Sequence, residues 1–375
     1  MIRVAHLNAG NLYGGIESFL VTLARIAASR RTQLDQLFLF AYEGRFSEEL
    51  RRAGATVRMV GPARLSRPWS IWSAQRRVRS ALSEFATDVV LAHDTWPLVV
   101  LGRGAREHPL VYYQHMPAGE ALLDKLAGAV SVQAVVANSY FTSASASKLF
   151  PRVPVHVVRY PVLAAAKSSR ASVRAALGIA PDELVILQVS RLQRWKGQLL
   201  HLSALRYLKS GRRWRAWFVG GAARASENKL LEEMRKTAAP LPPGRVSFLG
   251  ERSDVPLLMR AADVFCQPNV GPEPFGLVFV EALTAGVPVV TTRMGGALEI
   301  VDESVGVTTE PTAEAVAAAL DLLLEDDGLR ARLSAAGPER AERLCGSEAC
   351  LSSLLTVLER RVQGTGTRTA ADRWD

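Results

Sequence analysis

The chain has 375 residues, of which 48% are hydrophobic and 22% are charged, a composition typical of a globular protein long enough for two domains. The formal net charge is +10, but no nucleic-acid-binding motif accompanies it, so nucleic acid is not an expected partner. No apolar run reaches the length of a membrane span, the first residues lack a signal-peptide pattern, and the three cysteines form no disulfide or metal pattern. These features predict a cytoplasmic protein with reduced thiols.

Strand-like apolar runs alternate with helical patterns along the chain, the order of elements typical of parallel α/β domains. A first series ends near Ala137 and a second begins at Leu184, with small and polar residues at 164–172 between them. In such sheets ligands bind beyond the carboxyl ends of the strands. We therefore predict an α/β protein with two doubly wound, Rossmann-like domains that face each other across a cleft. The predicted parts are residues 1–163, residues 164–361 and a flexible polar tail at residues 362–375.

Most of the positive charge lies in the first predicted domain, where 19 Arg and Lys residues stand against 11 acidic ones. Its densest segment, residues 64–79, interleaves arginine with Trp69 and Trp72. Such mixtures occur at membrane-surface helices and anionic-ligand sites, but the apolar spacing of this segment also predicts an ordinary core-facing helix. A solvated basic helix and a surface that contacts an anionic membrane through basic residues therefore both remain open. The basic residues in question are Arg76, Arg77 and Arg79.

The loop after the first predicted strand carries Tyr13 and the adjacent glycines Gly14 and Gly15. It lacks the Gly-x-Gly-x-x-Gly pattern of dinucleotide-binding domains, which argues against a nicotinamide dehydrogenase. Adjacent glycines leave room for a bulky group because they have no Cβ.

Three further polar residues of the first domain follow predicted strand ends: His93, which precedes Asp94, then His115 and Asn138. Each also has a structural explanation. A lone histidine is more often part of a core or a surface than of a site, and Asn138 can cap the following helix. Their position at strand ends keeps them as candidates.

Arg191 and Lys196 are five residues apart at the first strand-to-helix turn of the second domain. A planar guanidinium and a compact ammonium at this spacing can contact neighbouring phosphates of one diphosphate and offset the charge of a leaving group. Gly220 and Arg252 follow the next two predicted strands. In isolation, a solvated turn would explain Arg191 and Lys196, and a tight turn would explain Gly220.

Glu273 and Glu281 are eight positions apart around the start of an apolar helix predicted from Phe275 to Leu283. Two prolines keep Glu273 outside the helix, and the unpaired amides of the first turn are suited to an anion. A nucleotide diphosphate bound there would bring a ribose diol to Glu281 and leave Glu273 facing the sugar that the diphosphate carries. The alternative is a core ion pair for Glu281 and a solvated Glu273.

The sequence has no Asp-x-Asp clamp and no His, Cys and carboxylate set with metal-ligand spacing. We therefore expect no metal ion and no other cofactor. Arg191 and Lys196 can supply the positive charge that a metal would otherwise provide.

Three segments together resemble the retaining GT-B glycosyltransferases of family 4, also called group 1 glycosyl transferases. The longest is the string from Glu273 to Val290, the second is Ser-Arg-Leu-x3-Lys-Gly at 190–197, and the third is Gly-Gly-x-Glu at 14–17. The similarity extends from residue 1 to about residue 361 and is most specific between residues 190 and 301.

The resemblance implies a metal-independent hexosyltransferase that uses a UDP- or GDP-sugar as co-substrate. The expected acceptor is a hydroxyl of a glycan or lipid-linked saccharide in envelope polysaccharide biosynthesis, and the anomeric configuration is retained. The implied catalytic residues are Glu273, His115, Arg191 and Lys196. The implied donor-binding residues are Gly14, Gly15, Arg191, Lys196, Gly220, Arg252, Glu273, Phe275, Gly276, Leu277, Val278 and Glu281, and those on the acceptor side are Tyr13, His93 and Asn138.

The same fold also occurs in sugar-nucleotide epimerases and in phosphorylases, and a non-catalytic sugar-nucleotide-binding protein is a further alternative. Proteins of this architecture often send the last helix back to the first domain. We expect the protein in the cytoplasm, and peripheral attachment to the inner face of the membrane remains open.

Overall fold

The computed structural model describes residues 1–10, 14–30, 34–119, 121–163, 168–222 and 224–363. The chain divides into two compact units. Unit 1 comprises Met1–Pro161 together with the segment that begins at Ser347, and unit 2 comprises Val162–Gly346. Tyr13 and residues 364–375 of the predicted tail lie outside the described residues.

Unit 1 contains a seven-stranded sheet in the order β3-β2-β1-β4-β5-β6-β7, with every neighbouring pair parallel. Its strands are β1 (Ile2–Asn8), β2 (Leu34–Phe40), β3 (Thr56–Met59), β4 (Val89–His93), β5 (Leu110–Gln114), β6 (Ala134–Ala137) and β7 (Val155–Val157). Its helices are α1 (Gly15–Arg30), α2 (Arg45–Arg52), α3 (Pro68–Glu84), α4 (Thr95–Leu101), α5 (Leu122–Gly128), α6 (Tyr140–Leu149) and the last helix of the chain.

Unit 2 contains a six-stranded parallel sheet in the order β10-β9-β8-β11-β12-β13. Its strands are β8 (Leu184–Val189), β9 (Trp214–Val219), β10 (Val246–Gly250), β11 (Val264–Gln267), β12 (Val289–Thr292) and β13 (Gly306–Thr309). Its helices are α7 (Arg170–Ala176), α8 (Gln198–Leu205), α9 (Ala225–Ala238), α10 (Val255–Ala261), α11 (Leu277–Thr284), α12 (Ala297–Ile300), α13 (Ala313–Glu325) and α14 (Asp327–Cys345). The two doubly wound sheets confirm the predicted fold class.

The domain limits differ from those inferred from the sequence. Unit 1 ends at Pro161 and not at residue 163. The final helix α15 (Ser347–Gln363) belongs to unit 1, as the resemblance allowed, although the predicted residue ranges counted it with the second domain. This helix buries an apolar stripe and contacts β4 of unit 1, and a local pattern cannot show which sheet will cover such a stripe. The stripe consists of Cys350, Leu351, Leu354, Val357 and Leu358.

The central strands are apolar because helices cover both faces of each sheet. In β4 all residues are buried, including His93 at its end. The short edge strand β7 was not predicted, because three residues give only a weak apolar pattern. These residues are only partly buried. Among the described residues, no helix combines the length and apolarity that a membrane crossing requires.

Candidate functional site

The loop after β8 in unit 2 is placed by glycine. It contains a short 3-10 turn, Arg194–Lys196, and ends at Gly197, whose φ of +70° is left-handed. A Cβ on Gly197 would lie 1.8 Å from the carbonyl oxygen of Pro268, so only glycine lets this loop pass so close to the loop after β11. A hydrogen bond from the amide of Val270 to the carbonyl of Trp195, 2.9 Å long, joins the two loops.

This approach brings Lys196 and Glu273 into a buried ion pair. Nζ of Lys196 lies 2.6 Å from Oε2 of Glu273, and the two side chains are only 13% and 7% exposed. Asn269 donates its amide to the same carboxylate oxygen at 3.0 Å, and Gln267 does so at 3.4 Å. Burial lowers the pKa of Lys196, and the Glu273 carboxylate opposes that shift. The pair is therefore charge-compensated and held from several directions.

Trp195, which the sequence analysis did not select, forms one wall around Lys196. The ammonium of Lys196 lies 4.0 Å from the centre of the Trp195 ring, a cation–π contact. The positive charge of Arg191 also lowers the pKa of Lys196, although Arg191 itself is exposed. The predicted cations therefore lie near each other at the carboxyl end of β8.

Glu273 is further held by the glycine turn after β12. The amide of Gly296 donates to the carbonyl of Glu273 at 2.6 Å, and Gly295 pairs with Glu273 as an isolated parallel bridge. A Cβ on Gly295, whose φ is +66°, would lie 2.4 Å from the same carbonyl. The glycine turn after β12 therefore supports the backbone of Glu273.

Helix α11 begins at Leu277, two residues after the predicted start. Gly276 caps it with a φ of +98°, and a Cβ there would lie 2.4 Å from the ring of Phe279. The amides of Leu277 and Val278 have no acceptor within the helix because they belong to its first turn. Phe275 is buried, so its side chain is part of the core of unit 2.

Glu281 is partly exposed on α11, and no hydrogen bond or ion pair of its side chain is found within the described part of the chain. Burial raises the pKa of this carboxyl to about 7. A partly buried carboxyl of this kind is available for a polar ligand.

Two other predicted residues of unit 2 have structural partners. A Cβ on Gly220 would lie 2.1 Å from the carbonyl of Ser190, so this glycine allows the ends of β9 and β8 to approach. The guanidinium of Arg252 is exposed and forms two hydrogen bonds to Asp254, at 2.8 and 2.6 Å. These bonds use two of the five N–H donors of the guanidinium.

The predicted polar residues of unit 1 form a buried hydrogen-bond chain. His93 Nδ1 lies 3.0 Å from His115 Nε2, and His115 Nδ1 lies 2.5 Å from the hydroxyl of Tyr160. Asn138 donates to the same hydroxyl at 3.0 Å and to the carbonyl of His115 at 2.8 Å. His6, which the sequence analysis did not select, extends the chain, with its Nδ1 2.9 Å from His93 Nε2.

These imidazoles are neutral because they are buried. Burial lowers the pKa of His115 and of His6 to about 3, and that of His93 well below its ordinary value. Within unit 1 both ring nitrogens of His115 are occupied by Tyr160 and His93. The helix-capping role considered for Asn138 belongs instead to its neighbour Ser139, whose side chain accepts from the amide of Thr142.

Beside this chain, unit 1 has a cavity of about 340 Å³ at the carboxyl ends of β1, β2 and β4. Its wall is formed by Asn8, Ala9, Gly10, Ile16, Glu17, Tyr42, Phe46, His93, Asp94, Trp96 and Pro97. Gly14 directly precedes α1 and Gly15 begins it, next to this wall, and a Cβ on Gly15 would contact nothing within 4 Å. The cavity combines apolar rings with two carboxylates.

Asp94 is the most unusual residue of the cavity. Its φ of +68° and ψ of 170° belong to a region that is essentially restricted to glycine. Burial raises its pKa to about 7, and the charge of Glu17 contributes in the same direction. Strain of this kind, which costs about 1–3 kcal/mol, is found mostly at functional sites. The one feature of the sequence that singled out Asp94 was its position directly after a predicted strand.

Within the ranges that the structure describes, no group of three or more His, Cys, Asp or Glu side chains could hold a metal ion.

Residues 169–340 match the family model for glycosyl transferases group 1, and residues 13–185 match that for glycosyltransferase family 4. The chain belongs to this glycosyltransferase family. Together with the two doubly wound units, these matches confirm the resemblance to GT-B glycosyltransferases of group 1 and family 4.

Similar sequences include the phosphatidyl-myo-inositol mannosyltransferase of Mycobacterium leprae, 40% identical over 116 residues, which are 30% of this chain and 31% of that protein. The D-inositol 3-phosphate glycosyltransferase of Xylanimonas cellulosilytica is 35% identical over 193 residues, 51% of this chain and 45% of that protein. The matched regions thus span less than half the length of these curated relatives.

Among solved structures, Anabaena Alr3699/HepE in complex with UDP and glucose is similar with a TM-score of 0.84 and 25% identity, over 96% of this chain and 100% of that one. Sucrose-phosphate synthase from Thermosynechococcus elongatus has a TM-score of 0.78 and 18% identity, over 98% of this chain and 100% of that one. The latter similarity concerns the fold alone.

The buried ion pair predicts a specific pattern of stability changes. Lys196→Met should lower the free energy of unfolding by about 3 kcal/mol, because it leaves the Glu273 carboxylate buried without its cation. Lys196→Met combined with Glu273→Gln should recover most of that loss, since no charge then stays buried. Urea unfolding of the full chain measures both, with the exposed Lys236→Met as the control. A double variant as unstable as the single one would contradict this account.

Two substitutions of Asp94 separate backbone strain from buried charge. Asp94→Gly should raise the free energy of unfolding by about 1 kcal/mol, because relief of strain exceeds the added entropy of an unfolded glycine. Asp94→Asn keeps the strain and removes the titration.

The sign of the pH effect follows from the raised pKa of Asp94. The folded protein holds this proton more tightly than the unfolded chain, so its contribution to stability falls as the pH rises from 3.8 to about 7. Asp94→Asn should therefore be more stable than the parent at pH 8 and equal to it near pH 4. Urea midpoints at the two pH values test this, and a difference independent of pH would exclude the buried charge as the cause.

Proposed function

We propose that the chain transfers a hexosyl group from a nucleotide-diphosphate sugar to a hydroxyl of a saccharide or lipid-linked saccharide, with retention of configuration and without a metal ion. The observation that carries the proposal is the buried Lys196–Glu273 pair beside the first turn of α11. A cation and a carboxylate held 2.6 Å apart provide adjacent groups for a phosphate and for sugar hydroxyls.

In the proposed complex, Lys196 and Arg191 bind the diphosphate together with the amides of Leu277 and Val278. An ammonium group has further N–H donors besides the one that contacts Glu273, so Lys196 can bind a phosphate oxygen without releasing the carboxylate. Glu273 then accepts from hydroxyls of the sugar. Because its position is fixed by Asn269 and by the backbone of Gly296, little reorganisation is required on binding.

Glu281 is proposed to accept from the ribose diol. Its carboxyl has no partner among the residues described, and burial has already raised its pKa to about 7, so a pair of hydroxyl donors would favour the ionised form. UDP and glucose in the complex of Anabaena Alr3699/HepE support a nucleotide sugar as the ligand class. The names of the curated relatives support an acceptor with several hydroxyls and a phosphate or lipid.

The chemical step proposed is displacement on the face from which the diphosphate leaves. The bond between the anomeric carbon and the diphosphate oxygen breaks, the acceptor oxygen bonds to that carbon on the same face, and the leaving phosphate takes the acceptor proton. Arg191 and Lys196 stabilise the negative charge that grows on the diphosphate, the role otherwise served by a metal.

The cavity of unit 1, with Asp94 in its wall, is the proposed acceptor site. We place the reaction on the cytoplasmic side, where the nucleotide sugar is expected.

The test of the function is transfer from a panel of UDP- and GDP-sugars to saccharide acceptors, after thermal shift has identified the nucleotide. Arg191→Ala should lower turnover by about 10²- to 10³-fold, as expected for loss of one preorganised electrostatic donor. The matched control is Arg194→Ala in the same loop, since Glu233 already occupies that guanidinium. Chelator should not change the rate. Epimerisation or phosphorolysis of the donor without acceptor, or loss of activity in chelator, would contradict the proposal.

The affinity for a nucleotide sugar should depend on pH through Glu281. With a pKa of about 7 in the free protein, this carboxyl is mostly neutral at pH 6 and mostly ionised at pH 8, so the Kd should fall about tenfold over that interval. Calorimetry with an intact nucleotide sugar measures the effect. Glu281→Gln should bind more weakly at pH 8 and show no such dependence. An equal slope in the variant would assign the pH dependence to another group.

A further inference from the structure

Helix α3 of unit 1 has two faces of different character. One face is buried in the core of unit 1 through Ala74, Val78 and Leu82. The other presents Trp69 and Trp72, one turn apart, which are 69% and 61% exposed. Such large apolar side chains are seldom left in water unless a partner covers them.

A tight turn before α3 adds Leu65 to this outer face. Leu65 is 58% exposed at the tip of the turn, and the flanking Arg64 and Arg67 form an antiparallel bridge. The amide of Arg67 donates to the carbonyl of Arg64 at 2.9 Å, and Ser70 Oγ accepts from the amide of Arg64 and donates to the carbonyl of Arg67. The leucine is therefore presented by a preformed turn, which reduces the entropy lost on binding.

The charge around this face has one sign. Residues 56–83 contain six arginines and no acidic residue. Arg58 and Arg79 pair with Glu84 and Glu107 from outside that range, and Arg77 donates to the carbonyl of Val60. Of the arginines that the sequence suggested for membrane contact, Arg77 and Arg79 are thus already occupied.

The remaining arginines have no acidic partner within the described ranges: Arg64, Arg67 and Arg76. The guanidinium of Arg76 lies 4.9 Å from the ring centre of Trp72 and extends the outer face by one further turn. We define the Trp–Arg surface as Leu65, Trp69 and Trp72 with Arg64, Arg67 and Arg76.

We propose that the Trp–Arg surface docks on a bilayer that contains anionic lipids. Indole rings prefer the boundary between hydrocarbon and headgroups, and a guanidinium binds lipid phosphates. A soluble polyanion would satisfy the arginines but leave Leu65, Trp69 and Trp72 in water. A bilayer matches both halves of the surface at once.

The surface adjoins the cavity of unit 1. The hydroxyl of Tyr42, which lines the cavity, donates to the carbonyl of Ala63 at 2.8 Å, immediately before the turn that carries Leu65. A docked Trp–Arg surface would therefore hold the cavity near the level of the headgroups and favour an acceptor that is anchored in the membrane. This last step rests on the proposed function, whereas the docking itself does not.

The experiment is co-flotation of the full chain with vesicles of phosphatidylcholine alone and with added phosphatidylglycerol. Binding should need the anionic lipid and weaken with salt. Replacing Arg64, Arg67 and Arg76 together with Gln should weaken partitioning about 100-fold, since each surface cation contributes roughly fivefold. Trp69→Ser with Trp72→Ser should also abolish the blue shift of tryptophan fluorescence on binding.

The matched controls lie in unit 2. Arg206→Gln, Arg235→Gln and Arg332→Gln together remove the same charge from exposed positions, and Tyr207→Ser removes an aromatic side chain that is 50% exposed. Neither control should change vesicle binding, and all variants should keep the parent Tm. Absence of binding to anionic vesicles at low salt, or equal losses in the control variants, would overturn the proposal.

Failure of the docking proposal is distinguishable from failure of the function. Vesicle binding needs no sugar nucleotide, so it can be measured whether or not the chain transfers sugar. Transfer to a water-soluble acceptor should be unchanged in the Trp–Arg variants. Equal binding to heparin and to vesicles, with both lost in the arginine variant and unaffected in the tryptophan variant, would identify a polyanion site and reject the bilayer.

Discussion

A buried ion pair is stable only if the backbone holds both charges close together, because each charge alone would be costly to bury. Lys196 and Glu273 are 77 positions apart in the chain, yet their charged atoms are 2.6 Å apart. Two glycines allow this. Gly197 passes the carbonyl of Pro268 where a side chain would collide, and Gly295 does the same beside Glu273. The proposed donor site of unit 2 depends on these two backbone approaches, since the groups assigned to phosphate and sugar belong to loops that follow different strands.

Unit 1 contains energetically unfavourable features of a different kind. Asp94 is held in a glycine-like conformation, and three imidazoles are buried as neutral groups in one hydrogen-bond chain. A domain that needed only stability would gain from replacing these residues with apolar ones. Asp94 and His93 both line the cavity of unit 1, which supports a binding role for that cavity. Because the ring nitrogens of His93 and His115 are already paired within the unit, Asp94 is better placed than either histidine to meet a ligand in the cavity.

The two proposals for unit 1 have a common structural basis. The cavity and the Trp–Arg surface both follow strand ends at the same edge of the sheet, and the contact of Tyr42 with Ala63 joins them. Helix α3 can carry an exposed face of tryptophan only because its opposite face fills the core. Burial of one face thus fixes the orientation of the other.

The sequence by itself determined the alternation of strands and helices, the two sheets and the loops that carry the candidate site. These follow from local features, namely apolar periodicity and the positions of glycine and proline. Glu273, Glu281, Arg191 and Lys196 could be selected because each lies at a predicted strand end or helix start.

Contacts between distant residues were decided only by the tertiary structure. It pairs Lys196 with Glu273 and places the last helix on unit 1, a placement that the resemblance had only left open. It also shows the strain of Asp94 and distinguishes the paired arginines beside α3 from the unpaired ones. A local pattern specifies which face of a segment is apolar or charged, but the partner of that face comes from another part of the chain, and only the folded structure brings the two together.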